Sequence, residues 1–208
     1  MEERKLTEKE SLEVITLMIA RTKQSYIGDG NILLMWGYLT VAVTALIWIL
    51  LITTHSAVWN WLWFLIWIIG GTATPIMVKR QQAKNGVKNY SDTITSRIWA
   101  TVVFSVIAST LMCLGFLLIA GIDSWSMMIA VALIIVPFAE IAQGIVIKEK
   151  SLMAGGAVGL ILGIFCTCCI AGHIMLYVSW FMPLFIAAFT AMMIVPGHIL
   201  NYKARKER

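Results

Sequence analysis

The sequence contains few charged residues. Asp, Glu, Lys and Arg together make up 13% of its 208 residues, whereas a soluble domain carries about 25%. Between positions 151 and 201 there is no charged residue at all. This shortage excludes an ordinary water-soluble enzyme, a disordered tail and a nucleic-acid-binding module.

The sequence also lacks the motifs of the common enzyme classes. It has no G-x-S-x-G elbow, no H-E-x-x-H zinc motif, no phosphate-binding loop and no dinucleotide fingerprint. We interpret its cysteines as small apolar side chains that fill the core, because they do not form the two turn-borne C-x-x-C pairs of a zinc site; they are Cys113, Cys166, Cys168 and Cys169. We therefore expect no enzyme activity, no metal site and no cofactor.

Hydrophobic residues dominate the chain, at 60% of the total, and the mean hydropathy is +0.85. A helix needs about 20 apolar residues to cross a bilayer. Six such runs are present, at 32–54, 59–78, 98–120, 125–147, 151–173 and 179–201. The sequence predicts an all-α integral membrane six-helix bundle over residues 31–201, built of three hairpins, with a basic tail over residues 202–208.

The basic residues are distributed unevenly along the chain. All 16 Lys and Arg precede the first run, separate the second from the third, separate the fourth from the fifth, or follow the sixth. The alternate loops contain none, and loops rich in Lys and Arg stay on the cytoplasmic side. The pattern predicts that both termini are cytoplasmic, and the net charge of +5 then reports orientation rather than a nucleic-acid partner.

Residues 1–30 form a separate polar segment. Thr7 with Glu10 fits a helix capping box, and Leu12, Ile15 and Ile19 follow at helical spacing. We predict a cytoplasmic amphipathic helix and hinge here. The helix either lies on the inner leaflet or against the bundle, or docks a cytoplasmic partner protein.

The start of the first run carries a resemblance. The segment Gly30–Tyr38 reads Gly-Asn-Ile-Leu-Leu-Met-Trp-Gly-Tyr and follows the amphipathic helix, and Ile-Gly-Gly-Thr occupies positions 69–72 of the second run. These residues resemble a group of small, uncharacterised bacterial multi-pass inner-membrane proteins. The resemblance implies a bacterial inner-membrane location and carries over no activity and no functional residue.

Glu140 is the one acidic residue within the six apolar runs. Lys148 follows eight residues later, so the carboxyl lies about 12 Å inside the cytoplasmic edge. Gln143 comes next on the same helix face, and His198 lies at a similar depth in the sixth run. Together Glu140, Gln143 and His198 are a candidate intramembrane polar site, either a proton relay or a cation site. The alternative is a single buried carboxyl that serves packing alone.

Three glycines repeat at every fourth position of the fifth run: Gly155, Gly159 and Gly163. Small residues at this spacing allow another helix backbone to approach closely. The pattern predicts tight helix packing, either within the chain or between two copies of it.

Two functions stay open at this point. The first is a non-enzymatic regulatory or accessory membrane component, whose cytoplasmic helix and basic loop over 79–97 engage a partner. The second is a small transporter or proton-coupled permease that uses Glu140. A membrane enzyme acting on lipids lacks any evident acid–base or metal constellation. The expected partners are the lipid bilayer and either a cytoplasmic protein or a second copy, and nucleic acid is not implied.

Overall fold

The computed structural model describes residues 30–85 and 90–206, together with Thr7, Leu12, Glu13 and Thr16. Within these residues every regular element is a helix and there is no strand. Most of the predicted cytoplasmic helix over residues 1–30 lies outside the described residues, as do positions 207 and 208 of the predicted tail. Leu12, Glu13 and Thr16 are helical, and the Thr16 hydroxyl donates to the Leu12 carbonyl at 2.7 Å.

Long apolar helices account for nearly all of the described chain. The helices are α1 (Asn31–Thr54), α2 (Trp63–Asn85) after a 3-10 helix (Ala57–Leu62), α3 (Tyr90–Gly115) continued by a π-helical turn (Phe116–Ala120), α4 (Ser126–Ile147), α5 (Lys150–Ala171), α6 (Val178–Phe189), a second π-helical turn (Thr190–Ile194), and α7 (Val195–Lys206). The helix α6, the second π turn and α7 follow one another without a gap and form one continuous helical segment, Val178–Lys206.

Within the described residues, six segments are long and apolar enough to cross a membrane. They are Asn31–Thr54, Ala57–Gln81, Ser91–Ala120, Ser126–Ile147, Lys150–Ala171 and Val178–Lys206, numbered here as spans 1 to 6. The predicted six-helix bundle is confirmed, and the chain is a polytopic membrane protein by the length and composition of its helices. Spans 3 and 6 are longer than predicted, because each helix continues past its apolar run into polar residues at the basic end.

The largest contacts between spans follow a row in which span 2 packs on span 1, span 1 on span 6, span 6 on span 5, span 5 on span 4, and span 4 on span 3. Spans 2 and 3 form the two ends of this row. Only 11% and 17% of their most apolar windows are buried, against at least 28% in the other spans. The most extensive contact joins α4 and α5, which belong to different predicted hairpins.

The α4–α5 contact is made by backbone. A Cβ added at Gly163 would clash with the carbonyl oxygen of Leu133. A Cβ at Gly159 would lie 2.9 Å from Pro137 Cγ, and one at Gly156 would lie 2.8 Å from the Pro137 carbonyl oxygen. These distances are shorter than ordinary van der Waals contact, so only glycine allows the two helices to lie this close.

Gly155 faces span 6 rather than α4. A Cβ at Gly155 would lie 2.9 Å from the Ala191 carbonyl oxygen and 2.8 Å from Pro196 Cγ. Ala191 belongs to the π turn of span 6, and Pro196 is the second residue of the helix that follows it. The glycine repeat therefore packs α5 against two neighbours within one chain.

The cysteines occupy two environments, and all four are free. Cys113, Cys166 and Cys169 are buried, whereas Cys168 is exposed. The prediction that every cysteine fills the core is wrong for Cys168. Successive residues of a helix point about 100° apart, so Cys168 and Cys169 cannot both face the interior of the bundle.

We expect Gly163→Ala to destabilise the bundle by about 1–3 kcal/mol, because its methyl group would force α4 and α5 apart. Gly71→Ala is the matched control, since a Cβ at Gly71 meets nothing within 4 Å. That change should be neutral or stabilising by up to about 1 kcal/mol through helix propensity. Unfolding in detergent by titration with sodium dodecyl sulfate measures both variants. Equal stability of Gly163→Ala and the wild type would contradict the close α4–α5 contact.

Candidate functional site

Glu140 lies in the interior of the bundle. Its side chain is 0% exposed, because α4 packs against α5 on one side and α3 on another and both adjoining faces of α4 are covered. Pro137 and Gly144, one turn away on either side, are buried as well. Neither carboxyl oxygen has a hydrogen-bond partner among the described residues. An ionised carboxylate enclosed in this way would cost several kcal/mol.

Gln143 does not bond to Glu140. Its Oε1 accepts a hydrogen bond from Trp99 Nε1 of α3 at 2.8 Å. The bond is partly buried, and the Gln143 amide therefore joins α3 to α4.

His198 lies on the outer surface of span 6. Its Nε2 is 2.8 Å from the hydroxyl of Tyr38 on α1, and both residues are exposed. The two rings meet edge to face, with centroids 6.0 Å apart. His198 is thus turned away from the interior in which Glu140 is enclosed, and these two side chains do not share a site.

The three predicted site residues are therefore not brought together. Glu140 is in the buried interior, Gln143 is in the α3–α4 contact, and His198 is in the α1–α7 contact. Counting residues along a span gives the depth of a side chain but not the direction in which it points. In span 6 the π turn over Thr190–Ile194 also shifts the faces that follow it, so the direction of His198 could not be read from a 3.6-residue period.

Sequence reasoning missed the residues that partner these polar groups. Among the described residues, Trp59–Thr54 at 2.7 Å and Thr110–Met128 at 3.8 Å join neighbouring spans at the end away from the basic segments. Four further hydrogen bonds join different spans: Trp36–Thr74 at 3.0 Å, Trp99–Gln143 at 2.8 Å, Tyr38–His198 at 2.8 Å and Asn31–Asn201 at 2.8 Å. All four lie in the half of the bundle that adjoins the basic segments. Tryptophan is enriched at membrane interfaces, which accounts for Trp36 and Trp99 in the sequence without any bonded partner. The signal that could have predicted these bonds is a polar residue on another span at the same depth as each tryptophan.

An ion pair joins two parts of the bundle at its basic end. Lys203 Nζ of α7 donates to Glu149 Oε1, and Glu149 lies in the turn between α4 and α5. That turn is tight, with Lys148 at a left-handed φ of 56° and the Glu149 N–H bonded to the Gly144 carbonyl at 2.8 Å. The pair connects the α4–α5 unit to the end of span 6.

The chemistry available to this arrangement is limited. No group of three or more His, Cys, Asp and Glu side chains that could hold a metal ion occurs in the part of the chain that the structure describes. Glu140 is enclosed, and neither Gln143 nor His198 forms an acid–base pair with it. The interior of the bundle therefore holds the fully buried carboxyl of Glu140, which has no hydrogen-bond partner among the described residues.

Comparisons with protein-family models, with curated proteins and with solved structures give no match. The resemblance of Gly30–Tyr38 to small bacterial membrane proteins stays a prediction.

We expect Glu140→Leu to stabilise the bundle by about 1–3 kcal/mol, because leucine fills a similar volume and removes a buried polar group that has no bond to lose. Gln143→Leu, the matched control on the same helix, should cost about 1 kcal/mol because it leaves the Trp99 N–H unpaired. The measurement is again unfolding in detergent. A loss of stability in Glu140→Leu would show that the carboxyl has a partner and would contradict the isolated site.

Proposed function

We propose that this chain is a non-enzymatic regulatory or accessory component of the bacterial inner membrane that acts by binding another protein at its cytoplasmic face. The observation that carries the proposal is the use of the intramembrane polar groups. Gln143 and His198 bond to neighbouring helices, and Glu140 is enclosed with no partner among the described residues. Such a bundle suits a scaffold better than a catalyst or a conduit.

The surface available to a partner lies at the basic end. Exposed basic side chains surround this end of the bundle and form what we term the basic rim: Lys79, Arg80, Arg97, Lys148, Lys150, Arg205 and Lys206. The excess of Lys and Arg on one side supports a cytoplasmic location for the rim and for both termini. The opposite turns are a few residues long and offer little surface to an external ligand.

A proton-coupled transporter is the second candidate, and the isolation of Glu140 is the observation that favours it. Buried carboxyls without partners are costly in a membrane, and many that persist serve ion or proton pathways. The two functions make opposite demands on this residue. A transporter has to admit water or an ion to Glu140 during its cycle, whereas an accessory protein keeps it enclosed throughout.

We expect a photo-crosslinking amino acid at Lys150, on the basic rim, to form a discrete adduct with one cytoplasmic protein in living cells. The same amino acid at Ile122, exposed in an opposite turn, is the matched control and should form none. Deletion of residues 1–27 should remove the adduct while the bundle still inserts, because the predicted amphipathic helix supplies part of the contact. An adduct that persists at full yield in the deleted form would contradict this role for residues 1–27, and identical adducts at both positions would contradict a cytoplasmic binding face.

A further inference from the structure

The beginning of α1 and the helix α7 meet in a seam at the basic end of the bundle. A Cβ added at Gly30 would clash with the carbonyl oxygen of Gly197, and one at Gly197 would lie 2.8 Å from Leu34 Cγ. The two backbones are therefore in contact. Because no large side chain separates them here, polar groups on either side of the seam can bond across it.

Two polar pairs cross this seam on its outer side. Asn201 Nδ2 donates to Asn31 Oδ1 at 2.8 Å, and the Tyr38–His198 pair lies deeper. Tyr38 follows Asn31 by seven residues, which is about 10 Å along the helix. The Tyr38 side chain is nevertheless 52% exposed. An imidazole and a phenol therefore face the lipid about 10 Å inside the start of span 1, where exposed polar groups are disfavoured.

The face of α7 that carries His198 continues towards the basic end of the bundle with an aromatic and then a basic side chain. His198, Tyr202 and Arg205 occupy positions i, i+4 and i+7 and so lie above one another. Tyr202 is 69% exposed and Arg205 is exposed. Lys203, by contrast, is bonded to Glu149 on another side of the helix. We call His198, Tyr202 and Arg205, together with Tyr38, the seam stripe.

We propose that the seam stripe binds one anionic phospholipid of the cytoplasmic leaflet. Arg205 is placed to pair with the phosphate, Tyr202 to lie at the level of the headgroup and glycerol, and the Tyr38–His198 pair to meet the ester carbonyl oxygens. Basic and aromatic residues at a membrane edge need no specific ligand. The exposed Tyr38–His198 pair, about 10 Å deeper, does require a specific ligand. A phospholipid suits it because that molecule carries hydrogen-bond acceptors at both depths.

The charge of this surface selects a lipid over a second copy of the chain. Arg205 and Lys206 are exposed here, and a twofold contact through the stripe would place these cations opposite one another, which is unfavourable. An anionic lipid neutralises them instead. The inference depends on the cytoplasmic orientation only for the leaflet, and it does not depend on the accessory role.

Native mass spectrometry of the full chain, freed of bound lipid in detergent, tests the proposal by titration with phosphatidylglycerol and with phosphatidylcholine. We expect one phosphatidylglycerol to bind more tightly than phosphatidylcholine. Arg205→Ala should weaken that binding about fivefold, the effect of roughly 1 kcal/mol per basic residue at a membrane surface. Tyr38→Phe, which removes only the hydroxyl, should weaken binding of both lipids.

Arg97→Ala is the matched control, because Arg97 is an exposed arginine of the basic rim on α3, outside the stripe. Its affinity for phosphatidylglycerol should equal that of the wild type. An equal loss in Arg97→Ala and Arg205→Ala, equal binding of the two lipids, or an unchanged affinity in Tyr38→Phe would each overturn the site. A lipid-independent dimer that is lost in Arg205→Ala would do so as well, and would assign the stripe to a second copy.

Discussion

The close contact between α4 and α5 is the constraint on which the rest of the structure depends. Hydrophobic burial gives little drive to helix association in lipid, so backbone approach and close packing have to provide it. Gly156, Gly159 and Gly163 bring α5 onto α4, and Gly155 brings it onto span 6. Span 1 then packs on span 6, and spans 2 and 3 complete the flanks. The position of Glu140 follows from this contact, since α4 has covered faces on both sides of it.

Polar groups within the bundle form two sets, those that bond across helix contacts and those that are buried without a partner among the described residues. Side chains in the basic half bond across helix contacts, which satisfies them and fixes the order of the helices. Glu140 is fully buried, and its oxygens, like the buried polar atoms of Trp48, Ser124 and Ser151, lack partners among the residues described. The exposed Tyr38–His198 pair lies instead along the seam between α1 and α7. The enclosed carboxyl of Glu140 is thus separated from the exposed Tyr38–His198 pair.

The sequence was sufficient to predict the six spans, because a hydropathy run of about 20 residues is determined by bilayer thickness alone. The glycine repeat at Gly155, Gly159 and Gly163 was visible for a similar reason, as its four-residue period is local. The grouping of Glu140, Gln143 and His198 was not predictable. Equal depth says nothing about direction around a helix or about which spans are neighbours, and the π turn in span 6 changes the direction of His198. Cys168 points outward because the glycines of α5 determine which face of that helix packs on its neighbours, and Cys168 lies on another face.

The bundle keeps the Glu140 carboxyl away from water. The most direct test is the reactivity of a thiol at this position, Glu140→Cys, in a chain whose native cysteines are replaced, towards a small methanethiosulfonate reagent in open membrane fragments. The reaction samples every conformation visited over minutes, including any that a transport cycle would open. The account predicts no modification until the protein is unfolded in sodium dodecyl sulfate, while thiols at the exposed positions Asp123→Cys and Arg205→Cys react at once. Modification of Glu140→Cys in the folded protein, at a rate approaching those controls, would contradict the account and favour the transporter.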